Sequence, residues 1–348
     1  MATARTLSPG LQLSTTWRHF QAAVLLAVLA VGVGGVIYLV ETFALGLRHR
    51  FVESPSEVMV RAFGIAHFGI GWLFLFTSPK LRSPSALAKL GVLTMVGAAW
   101  CLISWDYGGI KNPFWLLAFY AYFIIHEIRD EANLFVAYGD APNDAGRDVF
   151  LRRLGTTVAL ALMTTFALIT MFHGRVQEKL QRVVDEPERW LPLLGGGLLA
   201  GCAASAWSTW LCQRRHGIVL RDFAPLLAVY ATIGAVLTVG SLLGSAGFNL
   251  IVLIHVMAWL VFVRHRLSSG SPSPLRERGA GVRELWAWLR TTPAGLVTLH
   301  LVAAVVVLIL MALRVHLWQR AGFISELFAT SNFQYWTIMH ITMAFWRK

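Results

Sequence analysis

The chain has 348 residues, 56% of them hydrophobic and 14% charged, with a mean hydropathy of +0.61. A water-soluble domain carries roughly 25% charged residues, and 14 Trp and 21 Phe in long apolar runs exclude a disordered chain, so the composition is that of a membrane protein. The net charge of +12 comes from basic residues lying between apolar blocks, where they set topology and meet anionic head groups; this points to membrane lipids as partners and away from nucleic acid. Cys101, Cys202 and Cys212 show no Cys-x-x-Cys spacing, which excludes a disulfide framework and a zinc knuckle.

A helix needs about 20 apolar residues to cross the hydrocarbon core. Runs of that kind predict helices near 22–45, 59–77, 86–106, 113–138, 155–173, 191–212, 224–243, 247–264, 293–313 and 322–346. The expected fold is therefore an all-α polytopic transmembrane bundle of about ten spans, a single transmembrane domain over 1–348. The first run is longer than a signal-peptide core of roughly 7–15 residues and reads as a retained helix. The fourth carries a charged cluster in its second half. The tenth contains Glu326, Thr330, Ser331 and Asn332, and has as its alternative a re-entrant or interfacial piece followed by a short span from Phe333 to Trp346.

Between the spans, residues 174–190 mix Val and Leu with Arg and Glu in the manner of a short amphipathic helix on the outer surface. Residues 267–292 read as a cytoplasmic linker between the eighth and ninth spans, Ser/Pro/Gly-rich and basic over 267–282. Gly197-x3-Gly201 and Gly240-x3-Gly244 suit close helix packing. With the N-terminus inside, the cytoplasmic loops gather twice as many of the 30 Lys and Arg as the outer loops, which places both termini in the cytoplasm.

An ionisable side chain in mid-span costs a few kcal/mol and usually faces the bundle interior with a partner. Five of the eleven histidines fall well inside spans: His67, His126, His255, His300 and His340. The other six, His19, His49, His173, His216, His265 and His316, lie at span ends or in loops and read as interfacial residues. His67, His126, His255 and His340 belong to the second, fourth, eighth and tenth spans, which all run the same way. His67 and His255 lie roughly 12 Å and His126 roughly 20 Å below the outer ends, so four imidazoles approach one level of the membrane, as a metal or cofactor site requires. His300 is expected to act as a donor behind them.

The fourth span adds His126-Glu127-Ile128-Arg129-Asp130-Glu131. His126 and Asp130, at i and i+4, share a helix face, and Arg129 can offset the carboxylates. A carboxylate one turn from an imidazole either ligates the same metal or fixes its tautomer. Asp130 is therefore expected to orient or ligate, and Glu127 to carry a proton. The bland alternative is a shorter fourth helix whose acidic half is solvated. His-x3-His boxes, His-Glu-x2-His, a phosphate loop and a Gly-x-Ser-x-Gly elbow are all absent. Asp140, Asp144 and Asp148 recur every four residues, faintly like the aspartate-rich Mg²⁺-diphosphate motif of membrane prenyltransferases, but Pro142 and Gly146 argue for a solvated acidic loop.

The patches Ile65-Ala66-His67-Phe68-Gly69, Ile124-Ile125-His126 with Asp130, Leu253-Ile254-His255 with Arg264-His265, and Ile338-Met339-His340 together resemble the bacterial bacteriorhodopsin-related (Brp/Blh-like) family of β-carotene-cleaving oxygenases. The resemblance implies a bacterial cytoplasmic membrane, a non-haem iron held by His67, His126, His255 and His340, and oxidative cleavage of a polyene. The first histidine helix lacks the family's Pro-His-Gly-x2-Asp pattern, and His255 and His265 are spaced more widely than the family's pair.

The leading expectation is thus a metal-dependent membrane oxidoreductase or oxygenase acting on a hydrophobic small molecule, a carotenoid, isoprenoid or acyl chain, at a His-rich iron site. The alternatives are a haem-b electron-transfer protein with two histidine ligands and a proton-coupled transporter using His and Glu as a relay.

Overall fold

The computed structural model describes residues 14–45, 54–77, 81, 83–106, 113–142, 146–172, 187–242, 246–269, 281–316, 327–329 and 332–344. Every regular element among them is helical: α1 (Thr15–Leu39, continued by a π turn over Val40–Ala44), α2 (Pro55–Phe76), α3 (Pro84–Asp106), α4 (Pro113–Ala137), α5 (Arg147–Phe172), α6 (Pro187–His216), α7 (Ala224–Leu242, preceded by a 3₁₀ turn over Leu220–Phe223), α8 (Ala246–Ser269), α9 (Val282–Thr291), α10 (Pro293–His316) and α11 (Phe333–Ala344).

Five helices begin on proline, at Pro55, Pro84, Pro113, Pro187 and Pro293. Proline fits a first helical position because its missing N–H would have no partner there. Ser54 completes the start of α2 by accepting from the Glu57 amide at 3.2 Å. α1 begins differently, with Ser14 Oγ accepting from Trp17 N at 3.1 Å and Asp140 Oδ2, from the end of α4, accepting from Thr16 N at 2.6 Å.

Seven helices among the described residues are long and apolar enough to cross a membrane: Thr15–Ala44, Pro55–Phe76, Pro84–Asp106, Arg147–Ile169, Leu220–Gly240, Gly247–Ser269 and Pro293–Leu313. Of the ten expected spans, α4 keeps the length but carries the His-Glu-Arg-Asp-Glu cluster, α6 is long but less apolar, and α11 has only 12 residues. The short C-terminal helix begins at Phe333, as in the alternative reading of the tenth span. Part of the expected linker, Val282–Thr291, is helix α9, and α8 runs on to Ser269. Of the outer amphipathic stretch 174–190, residues 174–186 lie outside the described residues.

Burial sorts the helices into centre and rim. In their most apolar windows 61% of α2 and 56% of α8 is buried, against 11–39% for the other five spans. α2 packs on α1, α8, α10 and α11, and α8 packs on α1, α2, α7 and α10, so these two form the hub. α5 joins α4 to the rim helix α6, where Thr157 Oγ1 lies 2.8 Å from Ser205 Oγ and 2.9 Å from Thr209 Oγ1. α11 runs antiparallel to α3, with Gln334 beside Ser104, Tyr335 beside Cys101, Met339 against Gly97 and Met343 beside Thr94.

The glycine pairs are used differently from expectation. A Cβ on Gly240 would overlap the backbone of Gly247, so α7 and α8 touch backbone to backbone there, and Gly244 lies outside the described residues. Gly197 and Gly201 have nothing within 4 Å of a Cβ and make no close helix contact among the described residues.

Candidate metal centre

α4 explains why ionisable residues enter the apolar core. Successive residues turn by about 100°, so His126, Glu127, Asp130 and Glu131 form one stripe, and they are 5%, 1%, 9% and 2% exposed. Arg129 points outward and Ile125 is 45% exposed on the same outer side. The acidic half of this helix is therefore buried, and the solvated alternative does not hold.

α2 brings His67, α8 His255 and α11 His340 to the same point. Ring centroids are 5.0 Å apart for His67–His340, 5.1 Å for His126–His255, 5.7 Å for His126–His340, 6.1 Å for His67–His255 and 6.5 Å for His255–His340. Imidazole nitrogens about 2.1 Å from one metal place their ring centres about 5.3 Å apart at a tetrahedral angle and about 6.5 Å apart when opposed. The five spacings, from 5.0 to 6.5 Å, lie within or just below that range. Two overlapping sets, His67–His255–His340 and His126–Asp130–His255, have ligand atoms within 4.8 Å of one another, and His255 is common to both.

The carboxylates divide their roles in a way the spacing along α4 does not suggest. Glu127 Oε2 lies 2.5 Å from His255 Nδ1, on a different helix, in the arrangement of a carboxylate that fixes an imidazole tautomer. His255 Nε2 is buried with no hydrogen-bond partner. Asp130 Oδ2 lies 3.6 Å from His126 Nε2 and accepts from Trp259 Nε1 at 3.2 Å. Glu127 is thus placed to orient a histidine, while Asp130 lies at the edge of the site, able to ligate or to hold His126.

The donor set fits a divalent metal. Three buried carboxylates and four imidazoles meet where the neighbouring Arg129 turns away, and Oε1 of both Glu127 and Glu131 lacks a hydrogen-bond partner. Buried anionic groups of this kind are costly unless a cation or a proton compensates them.

His300 lies beside the centre, its ring 6.4 Å from His67. Its Nδ1 bonds the Leu296 carbonyl of its own helix at 2.9 Å. Among the edge histidines, His19 and His265 meet Tyr138 at one end of the bundle, with rings 4.7 and 5.5 Å from the tyrosine. Asp140 caps α1, and Asp148 pairs with Arg147 at 2.9 Å on the surface; Asp144 lies outside the described residues.

Two buried ionisable residues escaped the sequence reading, and a third, Glu131, was named in the acidic cluster without a role; Glu131, 2% exposed, follows Glu127 by one turn. Glu41 (3%) lies in the π turn ending α1, and Arg61 (5%) on α2. Each stands inside or beside an apolar run, which was the signal available. Compared with known protein families, with curated proteins and with solved structures, the chain matches none.

Proposed function

We propose that this protein is a multipass membrane oxygenase holding a non-haem iron on His67, His126, His255 and His340 and oxidising a lipid-soluble carotenoid, isoprenoid or acyl chain. The observation that carries the reading is the pair of overlapping ligand sets, His67–His255–His340 and His126–Asp130–His255, drawn from four helices and sharing His255, with a carboxylate behind that shared histidine. Iron bound there supplies dioxygen activation at positions the protein leaves open. If the substrate is a polyene, one dioxygen gives one oxygen atom to each carbon of the cleaved double bond, and no external reductant enters the balance.

The chain's own residues prepare the site. Glu127 keeps the proton of His255 on Nδ1 and the lone pair on Nε2. Trp259 steadies Asp130 beside His126. Phe68 stacks on His340 at 4.4 Å and Phe123 lies 6.4 Å from His255, walling the imidazoles with apolar rings that exclude water and suit a hydrocarbon substrate.

The topology we infer is ten crossings, with both termini on the cytoplasmic side of a bacterial inner membrane. α4 and α6 are long enough to add to the seven apolar spans, and α11, though short, runs from the level of Ser104 to that of Leu81 and Leu90, where Met343 packs. Arg18, Arg147, Arg152, Arg153, Arg214, Arg215, Arg264 and Arg266 lie at helix ends that meet at one face, which supports placing that face inside.

Metal analysis and an absorption spectrum of one purified sample test the reading. The expected result is about one iron per chain without a Soret band, with the iron lost in His126→Ala and His255→Ala. A folded, stable wild type without metal overturns it. A Soret band supports haem b instead, and proton uptake into proteoliposomes that Glu127→Gln abolishes supports a transporter.

A further inference from the structure

α9 has the two opposed sides of a surface helix. Val282, Leu285, Trp286 and Leu289 fall on one side with Trp288 at its edge, and Arg283, Glu284, Arg290 and Thr291 fall on the other. The protein covers only part of the apolar side. Trp286 meets Phe74, near the end of α2, at 6.2 Å, and the Arg290 guanidinium lies 5.4 Å from both rings. Val282, Leu285 and Trp288 remain 82%, 56% and 38% exposed.

Ten residues rise about 15 Å, half the hydrocarbon thickness, so α9 cannot cross the bilayer. Its height is nevertheless fixed. Thr292 alone separates it from α10, the span of highest hydropathy, and the corner is tightly closed. Gly295 N donates to Thr292 Oγ1 at 3.0 Å, and a Cβ on Gly295 would overlap the Trp288 carbonyl and come 2.8 Å from Leu289 Cα. The exposed apolar residues are therefore held at the level where a membrane span enters the bilayer. This is also the end of the bundle where α8 finishes with Arg264 and Arg266, so the surroundings are basic.

We propose that α9 is an interfacial helix that inserts Val282, Leu285 and Trp288 among the acyl chains and presents Arg283 and Arg290 to the phosphates of anionic lipids. A tryptophan at the helix edge suits that depth, since its ring is apolar and its N–H stays wet. The proposal depends on the membrane reading alone and is independent of the metal centre.

The test uses full-length protein in phosphatidylcholine vesicles, with and without about one third phosphatidylglycerol. Nitroxides are placed at Leu285→Cys or Glu284→Cys in a chain with Cys101, Cys202 and Cys212 changed to alanine. In the phosphatidylglycerol vesicles the Leu285 label is expected to collide several-fold more often with oxygen than with a water-soluble nickel chelate, and the Glu284 label to show the reverse. Equal access at the two positions, or a Leu285 label shielded from both reagents, overturns the insertion. In unlabelled wild type, amide exchange over 282–291 is expected to slow about fivefold when phosphatidylglycerol is added. Exchange indifferent to phosphatidylglycerol overturns the role given to anionic head groups.

Discussion

Glu127 and Asp130 belong to the same stripe of α4, yet their chemistry is decided by what faces each across the bundle. Glu127 meets His255 of α8, and Asp130 meets Trp259 one turn further along α8. Replacing Glu127 with glutamine keeps its shape and removes the charge that holds the Nδ1 proton of His255. Loss of such an orienting carboxylate typically weakens a metal site 10–100-fold, so competition with a chelator is expected to show Glu127→Gln releasing metal at about 10–100-fold lower chelator strength than wild type. Unchanged affinity would mean that the contact orients nothing. Trp259→Phe removes only a neutral donor to Asp130, and the same titration is expected to show a loss smaller than that of Glu127→Gln. The inward placing of the mid-span histidines was legible because an ionisable side chain in an apolar run usually faces the bundle interior. The division of labour between the carboxylates was not, because i,i+4 spacing tells which residues share a face and is silent on which helix that face meets.

At the scale of helices, several positions carry the site without touching it. Gly97 of α3 is the place where α11 comes closest: a Cβ there would stand 2.7 Å from Met339 Sδ, the residue before His340. Gly97→Leu crowds the Met339 side chain and Thr342, and α11 has only 12 residues with which to absorb a shift. On the proposed metal reading, the variant is expected to remain folded by circular dichroism while losing most of its metal. Full metal content would show that His340 is not needed or that α11 adjusts freely. At the α7–α8 contact, Gly247→Ala sets a methyl against the Gly240 backbone, and overpacking of this kind costs about 1–3 kcal/mol. A lower temperature of thermal inactivation is expected, and a value equal to wild type would contradict the close approach. The glycine spacing pointed toward Gly240, but spacing within one helix cannot name a partner in the next. α9 escaped notice for a related reason: its amphipathic period was present in the residues, but a ten-residue helix after a Ser/Pro-rich stretch reads as part of a linker.

For the molecule as a whole, the parity of crossings links the last helix to the first. His19 near the start of α1 meets His265 near the end of α8, with ring centroids 4.6 Å apart, so these two ends share a face. Met343 near the end of α11 packs with Leu81 and Leu90, beside the end of α2 and the start of α3. α2 and α8 run the same way, since Asn249 near the start of α8 lies 3.4 Å from Ser56 near the start of α2 and His67 and His255 meet further along both. Under the proposed topology the N- and C-terminal helices open onto one side, which requires an even number of crossings. Hydropathy alone leaves the count open, because α4 is made less apolar by the very residues that build the site. A reporter active only in the cytoplasm, fused in turn to each end of the full chain, is expected to be active in both fusions. Activity at one end and not at the other would require an odd count, which would turn α11 around and carry His340 away from His67. The metal centre and the topology thus stand or fall on the same short helix, and a fusion experiment that never touches a histidine bears on both.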